Sequence, residues 1–404
     1  MAADALLPGL APCAQALQGI GLAPGDADAL LRRMGVTRLA AATGLDNLSV
    51  PVWSGIRPAS RSLAVSFGKG LSAAQAQISA IMETLENAFA EASATKVART
   101  ASLADMRAAG ERIVPLETLS RCDPAGLDQT VPVRWIAGRS ARSGQTAFAP
   151  LELVGLDYTD SAAQAWCIRA SIGLAAHTDR DGAVRHGLLE LLEHDAMAQV
   201  DRLPGFPAIL PVLPLEEAPD EVRAALERTG LDAARPRFHL VPTRRGVCTV
   251  LCSILRQGAT GTADHGRCFG VATRFDGAGA AIAALVEAAQ VRMTLITGAR
   301  EDLEAHHYAS SGRAAPDLAQ VPASWGAVRA APGGDADRTA AHDVAELLAL
   351  VDAEPYVFEL SDPTDPVTVV RVLAPGLVSG LDESRSLGLG ALSVLFGLAG
   401  GAGG

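Results

Sequence analysis

The stretch that decides the fold is GKGLSAAQAQISAIMETLENAF, residues 68–89. Ser72, followed by Gln75 three positions on, makes a capping-box start for a helix. Ile78, Ile81, Met82, Leu85 and Phe89 then recur at helical spacing and read as a core stripe. Ser79, Glu83 and Glu86 run beside that stripe, separated by four and then three positions, so they project from one face. Two carboxylates one turn apart at the rim of a core repel each other and lose hydration. Either a cation sits between them or that face is open to solvent.

Working outward, the same plan recurs. SLAVSF (62–67) alternates like a strand, and GKG turns the chain into the helix. AWCIRASIGLA (165–175) is again strand-like and leads to a second helix, GAVRHGLLELLEHDAMAQV (182–200). Its Glu190 and Glu193 are three apart, on a line with His186 and Met197. Leu188, Leu189, Leu191 and Leu192 surround them, which predicts a helix buried nearly all round. A third helix over 279–297 carries Glu287 and Gln290 at the same spacing, with Arg292 just beyond. One E-x-x-E pair is explained by a solvated face or by arginine partners. Two pairs, on apolar helices that each follow a strand and a glycine turn, point to hard divalent cations. Mg2+ typically takes one or two carboxylates, water and substrate phosphate.

Lys69 fits that chemistry. Only Lys69 and Lys96 are lysines among the 34 basic residues, and a lysine set between two glycines reads either as a phosphate contact or as part of an ordinary glycine turn. SFGKGLS is not a Walker motif: Leu63 stands where the first glycine belongs, and Gly70 follows the lysine. Adjacent His306 and His307 point in different directions and make no obvious metal site. His194, beside Glu193, reads as an orienting or core residue before a general base.

The chain has 404 residues, 49% of them hydrophobic and 20% charged, enough for a sizeable core. A net charge of −11 disfavours nonspecific binding to nucleic acid or anionic membranes. No basic region followed by an apolar run opens the sequence, so no signal peptide is expected. The six cysteines form no C-x-x-C pair, which argues against a zinc knuckle and for a reducing, cytoplasmic setting. Residues 1 to about 50 read as short helices, ALLRRMGVTRLAAATGL stopping at Gly44. GVCTVLCSIL is a strand, as is VTVVRVLAP (367–375). Residues 309–341 read as a mobile segment or lid. From Leu387 to Gly404 the tail is uncharged, but its seven glycines and lack of a following basic cluster favour a docked or mobile tail over a membrane anchor.

Three motifs in order resemble the YcaO domain family. SVPVWSGIRPASRSLAVSFGKGLSAAQAQISAIMETLENAF resembles its opening, GKG followed by a helix with S-A-x-x-E-x-x-E. ASIGLAAHTDRDGAVRHGLLELLEHDA resembles the hallmark S-N-G-L-A-x-G-N-T, then E-A and G-L-x-E-x-x-E-R-D. AALVEAAQVRMTLITGARED, and GVTRLAAATGLDNLSVPVW near the N-terminus, resemble the subgroup found with TfuA-type partners. The resemblance spans roughly residues 30–305, with a late segment at 367–376. It implies an α/β (α+β) YcaO fold, with mixed β-sheets and helices around a nucleotide-binding cavity. The implied division is a helical segment (1–49), a catalytic domain (50–376) and a Gly/Leu-rich tail (377–404).

The resemblance also implies ATP- and Mg2+-dependent modification of a peptide backbone amide in a ribosomally made precursor. A nucleophile attacks the amide carbonyl, and the oxygen is phosphorylated and expelled. A Cys, Ser or Thr side chain then gives an azoline; external sulfide gives a thioamide. TfuA-associated members resemble the thioamide type, and this chain lacks the Pro-rich end frequent in azoline-forming members. The implied partners are a precursor peptide, a TfuA-like protein and a second copy of the chain, with no nucleic acid and no membrane. Carried over by position, Glu83, Glu86, Glu190 and Glu193 are the metal residues. They join Lys69, Ser79, Thr178, His194 and Arg292 as nucleotide-binding residues; Glu287, Gln290 and Arg300 match the third motif. The chain departs from the family pattern at Ile172, Thr178, Gly182, His194 and Asn87. Asp179 or Asp181 is placed to substitute for the acid missing at Gly182. The departures favour a rival expectation, a noncatalytic subunit that binds a peptide or a partner enzyme.

Overall fold

The structure, a computed structural model, describes residues 6–120, 122–160, 166–203, 206–244, 246–257, 264–308, 322–328 and 339–378. In chain order the first strands are β1 (Arg38–Ala41), β2 (Val52–Ile56), β3 (Val65–Lys69), β4 (Val97–Ala101), β5 (Val133–Ser140), β6 (Thr146–Pro150) and β7 (Leu174–His177). After them come β8 (Val212–Leu213), β9 (Arg237–Val241), β10 (Cys248–Gln257), β11 (Asp264–Arg274), β12 (Tyr356–Glu359) and β13 (Thr368–Leu373). The helices that matter below are α1 (Ala14–Gly19), α2 (Pro24–Arg33), α3 (Ala73–Ala92), α4 (Arg180–Ala198), α5 (Gly277–Thr297) and α6 (Ala340–Leu350).

The strands form three sheets: β1-β2-β3, then β11-β10-β9-β8, then β4-β5-β12-β13-β7 with β6 beside β5. Every pairing within them is antiparallel. The mixture expected from the sequence therefore lies in sheets and helices, not in strand direction.

The GKG reading changes. Gly68 and Lys69 end β3, and the turn falls after them. A Cβ at Gly68 would lie 1.9 Å from the Ala80 amide nitrogen, and one at Gly70 would lie 2.4 Å from the Gln75 Cβ. The glycines thus let α3 pack onto the strand, while Lys69 reaches the other way. Ser72 caps α3 by accepting from the Gln75 amide at 3.2 Å. The Gln75 side chain reaches back to the Leu71 amide at 2.9 Å, one residue before the cap.

The core stripe of α3 divides. Ile81, Leu85 and Phe89 are buried with the N-terminal leucines Leu17, Leu30 and Leu31. Ile78 and Met82 are only half-buried and line a cavity. α4 is buried through Leu188, Leu189 and Leu192 against Val370 and Val372. α5 lays Ala280, Ala284, Leu285 and Ala288 on the β9–β11 sheet, in a core that also holds Val250 and Cys252. Among the described residues it is the one helix long and apolar enough to cross a bilayer, and more than half of that stretch is buried in the protein.

Two boundaries differ from the sequence reading. The helix expected to run to Gly44 ends at Arg33, and Gly35 follows with φ +75°. Arg38–Ala41 instead pairs with β2. The strand expected over 165–175 is confined to Leu174–His177. Most of 309–341, the side chains of His306 and His307, and the tail beyond 378 lie outside the described residues.

Candidate active site

α3, α4 and α5 face one another across a cavity of ≈ 1110 Å³. Lys69, Ser79, Glu83, Glu86, Glu190, Glu193, His194 and Glu287 all line it. Glu287 reaches it because Gly270 on β11 admits α5 closely: a Cβ there would lie 2.2 Å from the Ala284 carbonyl oxygen and 2.8 Å from the Glu287 Cβ. Lys69 Nζ then lies 3.4 Å from Glu287 Oε2.

Three glutamates each hold a backbone amide with one oxygen. Glu86 accepts from Ala176 at 2.7 Å, Glu190 from Gly173 at 3.1 Å and Glu193 from Thr273 at 3.0 Å. These bonds fix the side chains and favour their charged forms. Burial and mutual repulsion oppose them more strongly. Burial, then Glu83, pushes Glu190 up to about 8. Burial and Glu83 raise Glu86 well above the usual carboxylate range, and burial and Glu287 do the same to Glu193. Burial also raises Glu83, although Lys69 and Arg300 pull it back. Burial works against the Lys69 charge, yet Glu287, Glu83 and Glu193 together raise its pKa.

One lysine among so many acids leaves the cavity short of positive charge. Divalent cations would meet that need, and the glutamates would bind them as carboxylates, without the protons that burial favours. Among the described residues, however, no three His, Cys, Asp or Glu side chains converge to hold a metal ion. The four carboxylates therefore share a cavity without forming the tight cluster expected from the sequence. Water and phosphate would complete the shell of any cation here, as is usual for Mg2+.

Arg292 and Thr178 do not line the cavity. Arg292 follows Glu287 by five residues, which turns it about 140° round the helix. It is buried and bonded to both Asp46 carboxylate oxygens, at 2.6 and 2.7 Å, and to the Leu255 carbonyl oxygen at 2.8 Å. It is thus a structural ion pair, not a nucleotide contact. The Thr178 hydroxyl lies 3.5 Å from His177 Nδ1. Gln290 and Arg300 also lie off the lining, and Arg300 Nε donates to Asp302 at 2.9 Å. His194 does line the cavity, with Nε2 4.0 Å from Glu190 Oε1.

The departures have local causes. A Cβ at Gly182 would lie 2.2 Å from His177 Nδ1, so the imidazole occupies the start of the side chain that residue 182 lacks. Asp179 is engaged as the N-cap of α4, accepting from the Gly182 amide at 2.7 Å, and its other oxygen lies 2.7 Å from His177 Nδ1. Asn87 is buried and donates to the Ser66 hydroxyl at 3.0 Å.

Two arginines at or near the site were not singled out from the sequence, and His186 was noted only for lying on the line of Glu190 and Glu193. His186 lines the cavity; desolvation there and the nearby Arg274 push it down to about 4, so it is a neutral imidazole at physiological pH. Arg274 lines the cavity at the end of β11 and pulls Glu193 toward its charged form. Arg371 is fully buried on β13, donates to the Ile172 carbonyl oxygen at 2.9 Å, and favours the Glu190 charge. His186 was legible as a position four residues before Glu190. The arginines carry no local sequence signal.

An antiparallel α/β protein whose helices gather carboxylates around a cavity, with one lysine from the end of β3, has the charge pattern suited to a nucleotide held with divalent cations. More particularly, the chain belongs to the YcaO family: the family described as YcaO cyclodehydratase, ATP- and Mg2+-binding, matches residues 67–378. ATP and Mg2+ are that family's cofactors. A relative from Rhizobium leguminosarum bv. trifolii, named for its position in the tfuA 3′ region, is 31% identical over 389 residues, 91% of this chain and 90% of its own. A Methanothermobacter thermautotrophicus protein is 30% identical over 279 residues, 67% of this chain and 69% of its own. Among solved structures, YcaO from Methanopyrus kandleri bound with AMPPCP and Mg2+ superposes with a TM-score of 0.64 at 21% identity, covering 90% of each chain. A heterocyclase in complex with substrate and cofactor superposes at 0.71 and 18% identity, over 95% of this chain and 55% of that one. At these identities the superpositions establish the fold.

Proposed function

We propose that this chain activates a peptide backbone amide with ATP and Mg2+ and, with a TfuA-like partner, exchanges the amide oxygen for sulfur. The observation that carries this reading is the shared cavity. Carboxylates from three helices face one lysine, and three of them are held in place by backbone amides. When bound, Mg2+–ATP would supply the phosphoryl group that turns the amide oxygen into a leaving group. Glu83, Glu86, Glu190 and Glu193 would hold the cations, and Lys69 and Arg274 would face the triphosphate charge. Ser79 offers a hydroxyl beside Glu83. The half-buried Ile78 and Met82 give the cavity an apolar wall that excludes water from the activated amide. The tfuA-region relative supports the thioamide outcome and the TfuA-like partner.

The test combines purified chain, ATP, Mg2+, sulfide, a TfuA-like protein and a candidate precursor peptide. The expected peptide product has one oxygen replaced by sulfur. Loss of one water without a sulfide requirement would assign azoline formation instead. The lack of a carboxylate at Gly182 favours a second reading, a noncatalytic subunit that binds a peptide or a partner enzyme. Calorimetry separates the two: Mg2+-dependent ATP binding, lost in Glu83→Gln and Glu190→Gln variants that remain folded, supports the enzyme. Absence of ATP binding in the parent protein supports the subunit.

A further inference from the structure

Outside the cavity, Cys122 and Cys167 face each other across an isolated antiparallel bridge. The Asp123 amide donates to the Trp166 carbonyl oxygen at 2.6 Å, so the cysteines form the non-hydrogen-bonded pair of that bridge. Such pairs hold their Cα atoms about 4.5 Å apart, with side chains closer than at hydrogen-bonded positions. Disulfides span Cα separations of about 4.4–6.8 Å. Both residues are half-buried, so a small oxidant reaches them, and both are reduced in the structure.

The other cysteines are placed differently. Cys248, Cys252 and Cys268 face Arg274, Gly270 and Ile254 in register, and Cys13 is buried just before α1. Burial pushes the Cys13 and Cys248 thiols up to about 11 and raises Cys252 further, so they supply little thiolate.

We propose that Cys122 and Cys167 are a redox modification site that closes reversibly into a cross-strand disulfide by exchange with a low-molecular-weight disulfide such as oxidised glutathione. One protein thiolate attacks a glutathione sulfur, forming a mixed disulfide and releasing one glutathione thiolate. The second protein thiolate attacks the protein sulfur of that mixed disulfide and releases the other. The two protein thiols lose two electrons and two protons, and glutathione disulfide gains both as two thiols. The bridge lies in a segment coupled to the candidate active site. The chain runs from Cys167 to Gly173, whose amide holds Glu190, while Thr118, before Cys122, accepts from the Gly376 amide at 2.8 Å. Oxidation thus staples together two segments beside the Glu190 anchor.

The test incubates the purified full chain with oxidised glutathione, alkylates the remaining thiols and maps peptides without reduction. The thiol count should fall by two from six, with Cys122 and Cys167 recovered as one linked peptide pair within a single chain. Dithiothreitol should restore all six. Cys167→Ser should leave a glutathione mixed disulfide on Cys122, because no second thiol remains to displace it. Stable mixed disulfides at both positions of the parent protein, a link between any other cysteines or between two chains, or survival of every thiol would each overturn the proposal.

Discussion

Raising the pH of the metal-free protein from about 6.5 to 8 should destabilise it, and Mg2+–ATP should reverse the loss. Burial and Glu83 hold the Glu190 carboxyl up to about 8, against 4.5 when unperturbed. Between those values the folded protein keeps a proton that the unfolded chain has released. The unfolded state therefore binds fewer protons, and stability falls as pH rises through the window. Each pH unit corresponds to about 1.4 kcal/mol, so Glu190 alone removes about 2 kcal/mol between pH 6.5 and 8. Its side chain is 25% exposed, which keeps solvent screening modest. Glu86 and Glu193 are shifted the same way and add to the slope.

His186 acts in the opposite sense. Its folded pKa is depressed to about 4 from 6.5, so its contribution is lost as pH falls through that range and levels off only about one unit above 6.5. Across the window from pH 6.5 to 8 the carboxylates therefore dominate the slope. The assay is urea unfolding in EDTA across the window, repeated with Mg2+ and ATP, whose binding to the folded state alone adds stability by mass action. An unfolding midpoint that stays level or rises with pH in EDTA would refute the argument. It would mean that the cavity glutamates are already ionised without a cation.

Gly182→Glu should not tighten Mg2+–ATP binding on its own, because its Cβ meets the His177 ring. Such overpacking costs about 1–3 kcal/mol, and His177→Gly in the same chain should relieve it; a double-mutant cycle by urea unfolding with no coupling would show that the ring swings aside freely. Gly68→Ala should cost more than about 3 kcal/mol, since its Cβ meets rigid helix backbone instead of a movable side chain. A thermal midpoint unchanged from the parent would contradict that packing. Arg57→Met should cost about 3–5 kcal/mol by stranding Glu91 in the core, where Arg57 now donates to both of its oxygens at 3.0 and 2.7 Å. Arg57, Ser60 and Ser62 overcome burial to hold Glu91 at about 2, so the parent loses this contribution as pH falls from 4.5 toward 2. Acid unfolding of the variant should lack that component.

The two E-x-x-E pairs, Lys69 between its glycines and the three long helices were legible in the sequence, because an i, i+3 spacing on a helix is a local property of the chain. So was the family, from motifs that each lie within one strand–helix unit. Other parts were not local. Arg38–Ala41 looked helical by spacing and became a strand because Val52–Ile56 lies alongside to pair with it. Arg292 followed Glu287 closely in sequence but turned away around the helix toward Asp46. Lys69 and Glu287 are separated by 218 residues and meet only because Gly68 and Gly270 admit α3 and α5 so closely. The acidic face was written in the sequence. Which faces share one cavity, which arginines temper it and how far each glutamate pKa is raised depended on tertiary packing, because burial and charge–charge distance are set by elements remote in the chain.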